Sequence, residues 1–276
     1  METRDAVHPE QAKQLDTEEL RRHFLITGLF PADGARLVYT YYDRLIVGGV
    51  NPGQPVALAV DPKILGANFL LERREMGIIN IGGKGEVKVD GKAFAMDERD
   101  GLYLGKGARE VVFSSASASR PAKFYFNCVP AHEALPVTKM TFKDAAPTAL
   151  GSDAQGNKRT IYKYFHPDGI KTCQLVMGMT LLEPNNVWNT MPVHTHKRRM
   201  EAYFYFNLPA DGIVFQIMGE PTQTRHIIVR NEEAVLHPSW SIHSGVGTTN
   251  YTFIWGMAGE NQTFSDMDEV AMGDLR

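Results

Sequence analysis

Hydrophobic positions follow a helical spacing only at the start of the chain. In LDTEELRRHF, Asp16 stands where an N-cap belongs, Glu19 follows three residues on, and Leu20 and Phe24 share one face. Beyond Pro31 the apolar residues come in short or alternating runs broken by Gly, Pro, Asn and Asp; RLVYTYY, GIINIGG, GEVKVDGK, AKFYFNCV, EAYFYFN, GIVFQIMG, RHIIVR and YTFIWGM are examples. Many short strands so spaced predict an all-β sandwich or barrel rather than βαβ units. Residues 136–160 are polar and rich in Pro, Gly and Ser, which reads as a linker. The expected organisation is therefore a short N-terminal helix, one β-rich half over 1–135, the linker, and a second half over 161–276.

The halves resemble each other. LLERREMGIINI (70–81) lies on THKRRMEAYFYF (195–206) without a gap, so that Arg73 and Arg74 coincide with Arg198 and Arg199. YLGKGAREVVF (103–113) then falls near LHPSWSIHSGV (236–246), and AKFYFNC near YTFIWGM. An internal duplication accounts for this pattern. Its halves differ in chemistry: where the second has His194 and His196 the first has Phe69 and Leu71, and Glu110 stands near the place of His243.

Those histidines are the chemical signal. His194 and His196 point to the same face if they lie on a strand. Glu201 has the opposite parity and joins them only if KRRM turns the chain between two strands. His243 follows Pro238 and Trp240 in a turn-prone stretch. One such histidine is ordinarily a structural residue, but three imidazoles and a carboxylate at these intervals suit a divalent metal such as zinc, manganese, iron or nickel. His8, His23, His132, His166, His226 and His237 show no such grouping and are assigned to structure or solvent.

Composition narrows the class. A net charge of −3, with 43% hydrophobic and 22% charged residues, fits a globular protein and gives no footprint for nucleic acid. No apolar run reaches the roughly 18 residues of a membrane span, and the polar N-terminus lacks a signal-peptide pattern. Cys128 and Cys173 fit no zinc ribbon or CxxC motif and read as small buried hydrophobes, which makes the expected compartment the cytoplasm.

HTHKRRME resembles the first metal motif of the cupins, H-x-H then four residues and Glu. PSWSIH is similar to their second motif, with Trp240 where Gly is usual and Gly247 where an Asn is often found. Across nearly the whole chain, LDTEELRRHFL, RLIVGGV, FLLERREMGIINIGG, YLGKGAREVVF, WNTMPVHTHKRRMEAYFYF and PSWSIHSGVGTTNYTFIWGMAGENQ resemble the bicupin 5-keto-4-deoxyuronate isomerases of pectin and uronate degradation. That resemblance implies two tandem cupin (jelly-roll) barrels, with one zinc or other divalent ion per subunit on His194, His196, Glu201 and His243. It also implies a homohexamer and a ketol-isomerisation of 5-dehydro-4-deoxy-D-glucuronate to 3-deoxy-D-glycero-2,5-hexodiulosonate. Arg198 or Arg199 could grip the uronate carboxylate, while Tyr203 and Glu260 are further candidates around the reacting carbons. Two other readings of the metal motif are an Fe(II) dioxygenase and a non-catalytic sugar-acid-binding cupin.

Overall fold

A computed structural model of the chain describes residues 1–260, 262–263 and 265–276. It divides into two compact units. Met1–Arg4, Gly28–Ala146 and Tyr164–Val176 form the first; Asp5–Thr27, Pro147–Lys163 and Met177–Arg276 form the second. Each is built on one seven-stranded and one four-stranded sheet, with the same strand order in both apart from the outermost strands of the larger sheets. These are two tandem cupin barrels.

In the first unit the inner strand Arg74–Asn80 lies between Phe124–Pro130 and Gly101–Leu104. In the second, Arg199–Phe206 lies between Thr252–Gly259 and Glu233–His237. Register carries the correspondence to single residues. Arg74 pairs with Pro130 and Arg199 with Gly259, and Met76 faces Leu104 where Glu201 faces His237. The first unit's core is apolar: Met76, Ile78 and Leu104 of its large sheet meet Val87, Val111 and Phe113 of its small one.

All eight residues of Arg199–Phe206 are buried, as befits a strand covered on both faces. Alternation puts Arg199, Glu201, Tyr203 and Tyr205 on one face, with Met200, Ala202, Phe204 and Phe206 on the other.

The N-terminal helix spans Thr17–Phe24 and carries the full capping box: Asp16 accepts from the Glu19 N–H, and the Glu19 side chain accepts from the Asp16 N–H. Leu20 and Phe24 are its buried face. Although it opens the chain, the helix belongs to the second unit. Phe24 stands edge-on to Trp240, ring centroids 6.3 Å apart, and Arg225 donates to the carbonyls of Ala12, Lys13 and Leu15. Leu25–Ile26 then adds an outer strand against Glu233–His237. Trp240, in the place where cupins usually carry Gly, is thus a docking residue for the helix. Gly247 has no room for an Asn, since a Cβ there would lie 2.5 Å from the Thr249 carbonyl oxygen.

Residues 136–160 include two complete strands and the start of Arg159–Phe165. Thr138–Met140 closes the edge of the first unit's large sheet and Pro147–Leu150 that of the second. Edge strands face water and carry polar residues, so their composition imitates a linker. Cys128 is buried and Cys173 half-buried, and both are free thiols. Cys173 lies outside any strand, where the N–H groups of Cys173, Gln174 and Leu175 donate to the buried Glu75 carboxylate at 2.7–2.8 Å. Among the described residues no helix is long and apolar enough to cross a membrane.

Candidate metal centre

His194–Thr195 is a two-residue strand paired with Asp268–Glu269. The chain turns at Lys197–Arg198, closed by the Arg199 N–H donating to the His196 carbonyl at 3.0 Å, and Arg199 already begins the next strand. The turn is shorter than the tetrapeptide KRRM, yet it resets the side-chain parity and turns Glu201 toward the two histidines. His243 comes from Ile242–Gly247, across from Met218 on Val214–Glu220.

The four groups meet. The His194 Nε2 lies 3.1 Å from the Nε2 of His196 and 3.1 Å from that of His243. Glu201 Oε2 is 2.8 Å from His243 Nε2 and 3.5 Å from His196 Nε2. His196, Glu201 and His243 are buried and His194 half-buried.

This arrangement fits a cation better than a hydrogen-bond network. Three ring nitrogens converge, and Glu201 Oε2 is buried without an aligned hydrogen-bond donor despite its close approach to His243. Ligand nitrogens about 2.0–2.1 Å from a tetrahedral ion stand roughly 3.3 Å apart, close to the 3.1 Å found. His196 Nδ1 lies 3.1 Å from the Asp266 carbonyl. A proton on Nδ1 would be donated to that carbonyl and leave Nε2 its lone pair, whereas the Arg199 Nη2, 3.2 Å from the same Nδ1, can only donate.

Electrostatics favour the same state. Burial, with His243 and His196 alongside, lowers His194 to about 3, so its ring is neutral at physiological pH. Burial alone would raise the Glu201 carboxyl, but His243 and His196 hold it well below the usual carboxylate range. Burial and the neighbouring Glu201 push the Tyr203 phenol well above its ordinary value.

A cavity of about 220 Å³ opens at this cluster. His194, His196, Glu201 and Tyr203 line it, with Arg159, Thr180 and Thr190 as further polar groups and Met191, Phe253, Trp255 and Met257 as apolar wall. Of the other sequence candidates, Tyr203 alone reaches the cavity, its hydroxyl 2.9 Å from that of Thr190. Tyr205 shares its face but bonds to Asn189 and Gln216. Arg198 is paired with Asp266, its Nε donating at 2.9–3.0 Å. Arg199 is 1% exposed, with Nη2 near His196 Nδ1 and the Asp266 carbonyl. Glu260 is exposed and outside the lining.

His237, assigned to structure or solvent, stands opposite Glu201 in the sheet, its ring centroid 5.5 Å from that of His243 and 5.0 Å from that of Tyr203. It backs the cluster without lining the cavity. Arg159 escaped the sequence reading because it sits at the end of the polar stretch taken for a linker. The apolar alternation of TIYKYF just after it was the available signal.

A model of the KduI/IolB family matches residues 33–273. The chain belongs to that family. Curated relatives from Salmonella agona (strain SL483) and Caldicellulosiruptor bescii are named 4-deoxy-L-threo-5-hexosulose-uronate ketol-isomerase. They are 58% and 57% identical to this KduI/IolB-family chain, over all of both chains in each case. Solved structures share the fold at low identity. An IolB-like protein from Salmonella typhimurium LT2 superposes with a TM-score of 0.66 at 16% identity, over 79% of this chain and 85% of that one. Bacillus subtilis oxalate decarboxylase, whose Mn(II) centres have been studied, gives 0.60 at 11%, over 90% of this chain and 79% of its own. In this KduI/IolB member the three histidines form a cluster of the kind that can hold a metal ion.

Proposed function

We propose that the chain is a metal-dependent ketol-isomerase that converts 5-dehydro-4-deoxy-D-glucuronate to 3-deoxy-D-glycero-2,5-hexodiulosonate in uronate and pectin breakdown. Full-length identity of 57–58% to relatives named for that reaction carries this reading. His194, His196, Glu201 and His243 are the proposed ligands and zinc the proposed ion, with one per subunit. Three imidazoles and one carboxylate are ligand types that suit zinc. A bound divalent ion would supply Lewis acidity to adjacent carbonyl and hydroxyl oxygens.

The chain's own groups then divide the remaining work. Glu201, committed to the ion, is a poor proton acceptor. Tyr203 stays protonated and offers a hydroxyl donor inside the cavity, held by Thr190. Met191, Phe253, Trp255 and Met257 form a dry wall that limits water around the reacting carbons. Two free thiols accord with a cytoplasmic home, and the resemblance to the bicupin isomerases supports a homohexamer.

The test is elemental analysis of purified protein together with an NMR assay on the unsaturated-uronate product. The expected result is about one divalent ion per chain, ketose signals, and loss of turnover on chelation that zinc restores. Persistent turnover in fully stripped protein would remove the metal from the proposal, and absence of the ketose would remove the reaction.

A further inference from the structure

We propose that Arg159 holds the carboxylate of the substrate and thereby selects acidic sugars over neutral ones; this rests on the isomerase reading above. A hexosulose-uronate carries its aldehyde at one end of a six-carbon chain and its carboxylate at the other. A site that binds the reacting end through a metal cluster needs a separate cation for the acid.

Arg159 is the one arginine or lysine among the cavity-lining residues. The two arginines beside the ligand motif do not serve. Arg198 is exposed and paired with Asp266, and Arg199 lies outside the lining.

The guanidinium is placed to accept an anion. Arg159 is half-buried at the start of Arg159–Phe165, and Nη1 donates to the Asn157 carbonyl at 2.8 Å. It makes no ion pair with any described carboxylate, and Glu269, the other acid in the lining besides Glu201, is exposed. Burial lowers its pKa while Tyr203 and Tyr251 nearby oppose that shift, and an arginine remains charged regardless. An arginine held by one carbonyl keeps its other N–H groups free, and a carboxylate matches such a fork bidentately.

None of the four proposed ligands lies on the Arg159 strand. Two independent anchor points would therefore fix the sugar's orientation as well as its affinity. The two threonine hydroxyls in the lining are already engaged: that of Thr180 accepts from Trp255 Nε1 at 3.1 Å, and that of Thr190 meets Tyr203.

The experiment compares wild type, Arg159→Gln and Arg159→Lys, all loaded with metal. Two substrates are used: the uronate, and an analogue whose C6 carboxylate is replaced by hydroxymethyl. For Arg159→Gln we expect KM for the uronate to rise about 10–150-fold, the range for losing a hydrogen-bonded charge. Bound metal should stay unchanged, and the acid-over-neutral preference in kcat/KM should collapse. Arg159→Lys should fall between, because an ammonium keeps the charge and loses the fork. An unaltered KM and preference in both variants would overturn the assignment. If Arg159→Gln does not fold, the lysine variant and wild type decide, and a wild type indifferent to the carboxylate overturns it equally. Should wild type isomerise neither compound, the isomerase reading falls separately. Calorimetric binding of glucuronate against glucose, in wild type and Arg159→Lys, then tests the anion site alone; equal binding in all cases sinks it.

Discussion

Glu201 occupies a position from which a lone carboxylate would ordinarily be expelled, since it is 4% exposed on an inner strand of a sheet. Its charge is tolerated there because imidazoles surround it, and a shared cation would use both. Glu201→Gln keeps the shape and removes the charge. We expect metal affinity, measured by chelator competition, to fall at least about 100-fold, beyond the usual 10–100-fold for a supporting residue. Secondary structure should be retained by circular dichroism. Tyr203 is a different case. It lines the same cavity but stays protonated, so its use is as a donor. Tyr203→Phe should lower kcat by about 100-fold, at the lower end of acid–base contributions, with metal content intact. Loss of metal in that variant would reassign the hydroxyl to holding the cluster together.

At the scale of elements, Trp240 packs against Phe24 of the N-terminal helix and Arg225 holds the segment just before it, both within the second unit. Trp240→Gly restores the residue usual in cupins and removes the docking surface. The expected cost is about 1–3 kcal/mol in chemical denaturation, Trp240 being half-buried, accompanied by faster proteolysis within residues 5–27. Asp16→Ala removes one side of the capping box and should cost about 1 kcal/mol while leaving kcat unchanged. The helix itself was legible, because Asp16, Glu19, Leu20 and Phe24 are local signals. Its destination was not, since docking depends on a tryptophan more than two hundred residues later. The same contrast runs through the site. His194, His196 and Glu201 lie within one strand–turn–strand whose parity can be followed along the chain. Arg159 and His237 reach the site only through sheet order, which periodicity does not encode. Tyr203 and Tyr205 were indistinguishable by alternation, and depth in the barrel separates them. The edge strands Thr138–Met140 and Pro147–Leu150 hid in polar composition for the reason that makes them edges.

For the molecule as a whole, one sheet plan appears twice and carries chemistry once. Met76 and Glu201 occupy matching registers on matching strands, one in a sealed apolar core and the other in a polar cluster. If the barrel plan alone sets stability and the cluster sets function, exchanging these residues should have opposite consequences. Met76→Glu places a carboxylate among Ile78, Val87, Leu104 and Phe113 with no imidazole to meet it. The penalty for an uncompensated buried charge is about 3–5 kcal/mol, a large part of the 5–15 kcal/mol typical of a folded domain. Glu201→Met instead replaces a buried charge by an apolar side chain, which is often neutral for stability. We expect urea denaturation to show a strongly destabilised Met76→Glu protein. Metal-free Glu201→Met should unfold at or above the urea midpoint of metal-free wild type, yet bind little metal and turn over no uronate. A metal-free Glu201→Met that unfolds as readily as Met76→Glu would mean that the carboxylate supports the second barrel's fold in its own right, and the division between scaffold and chemistry would fail.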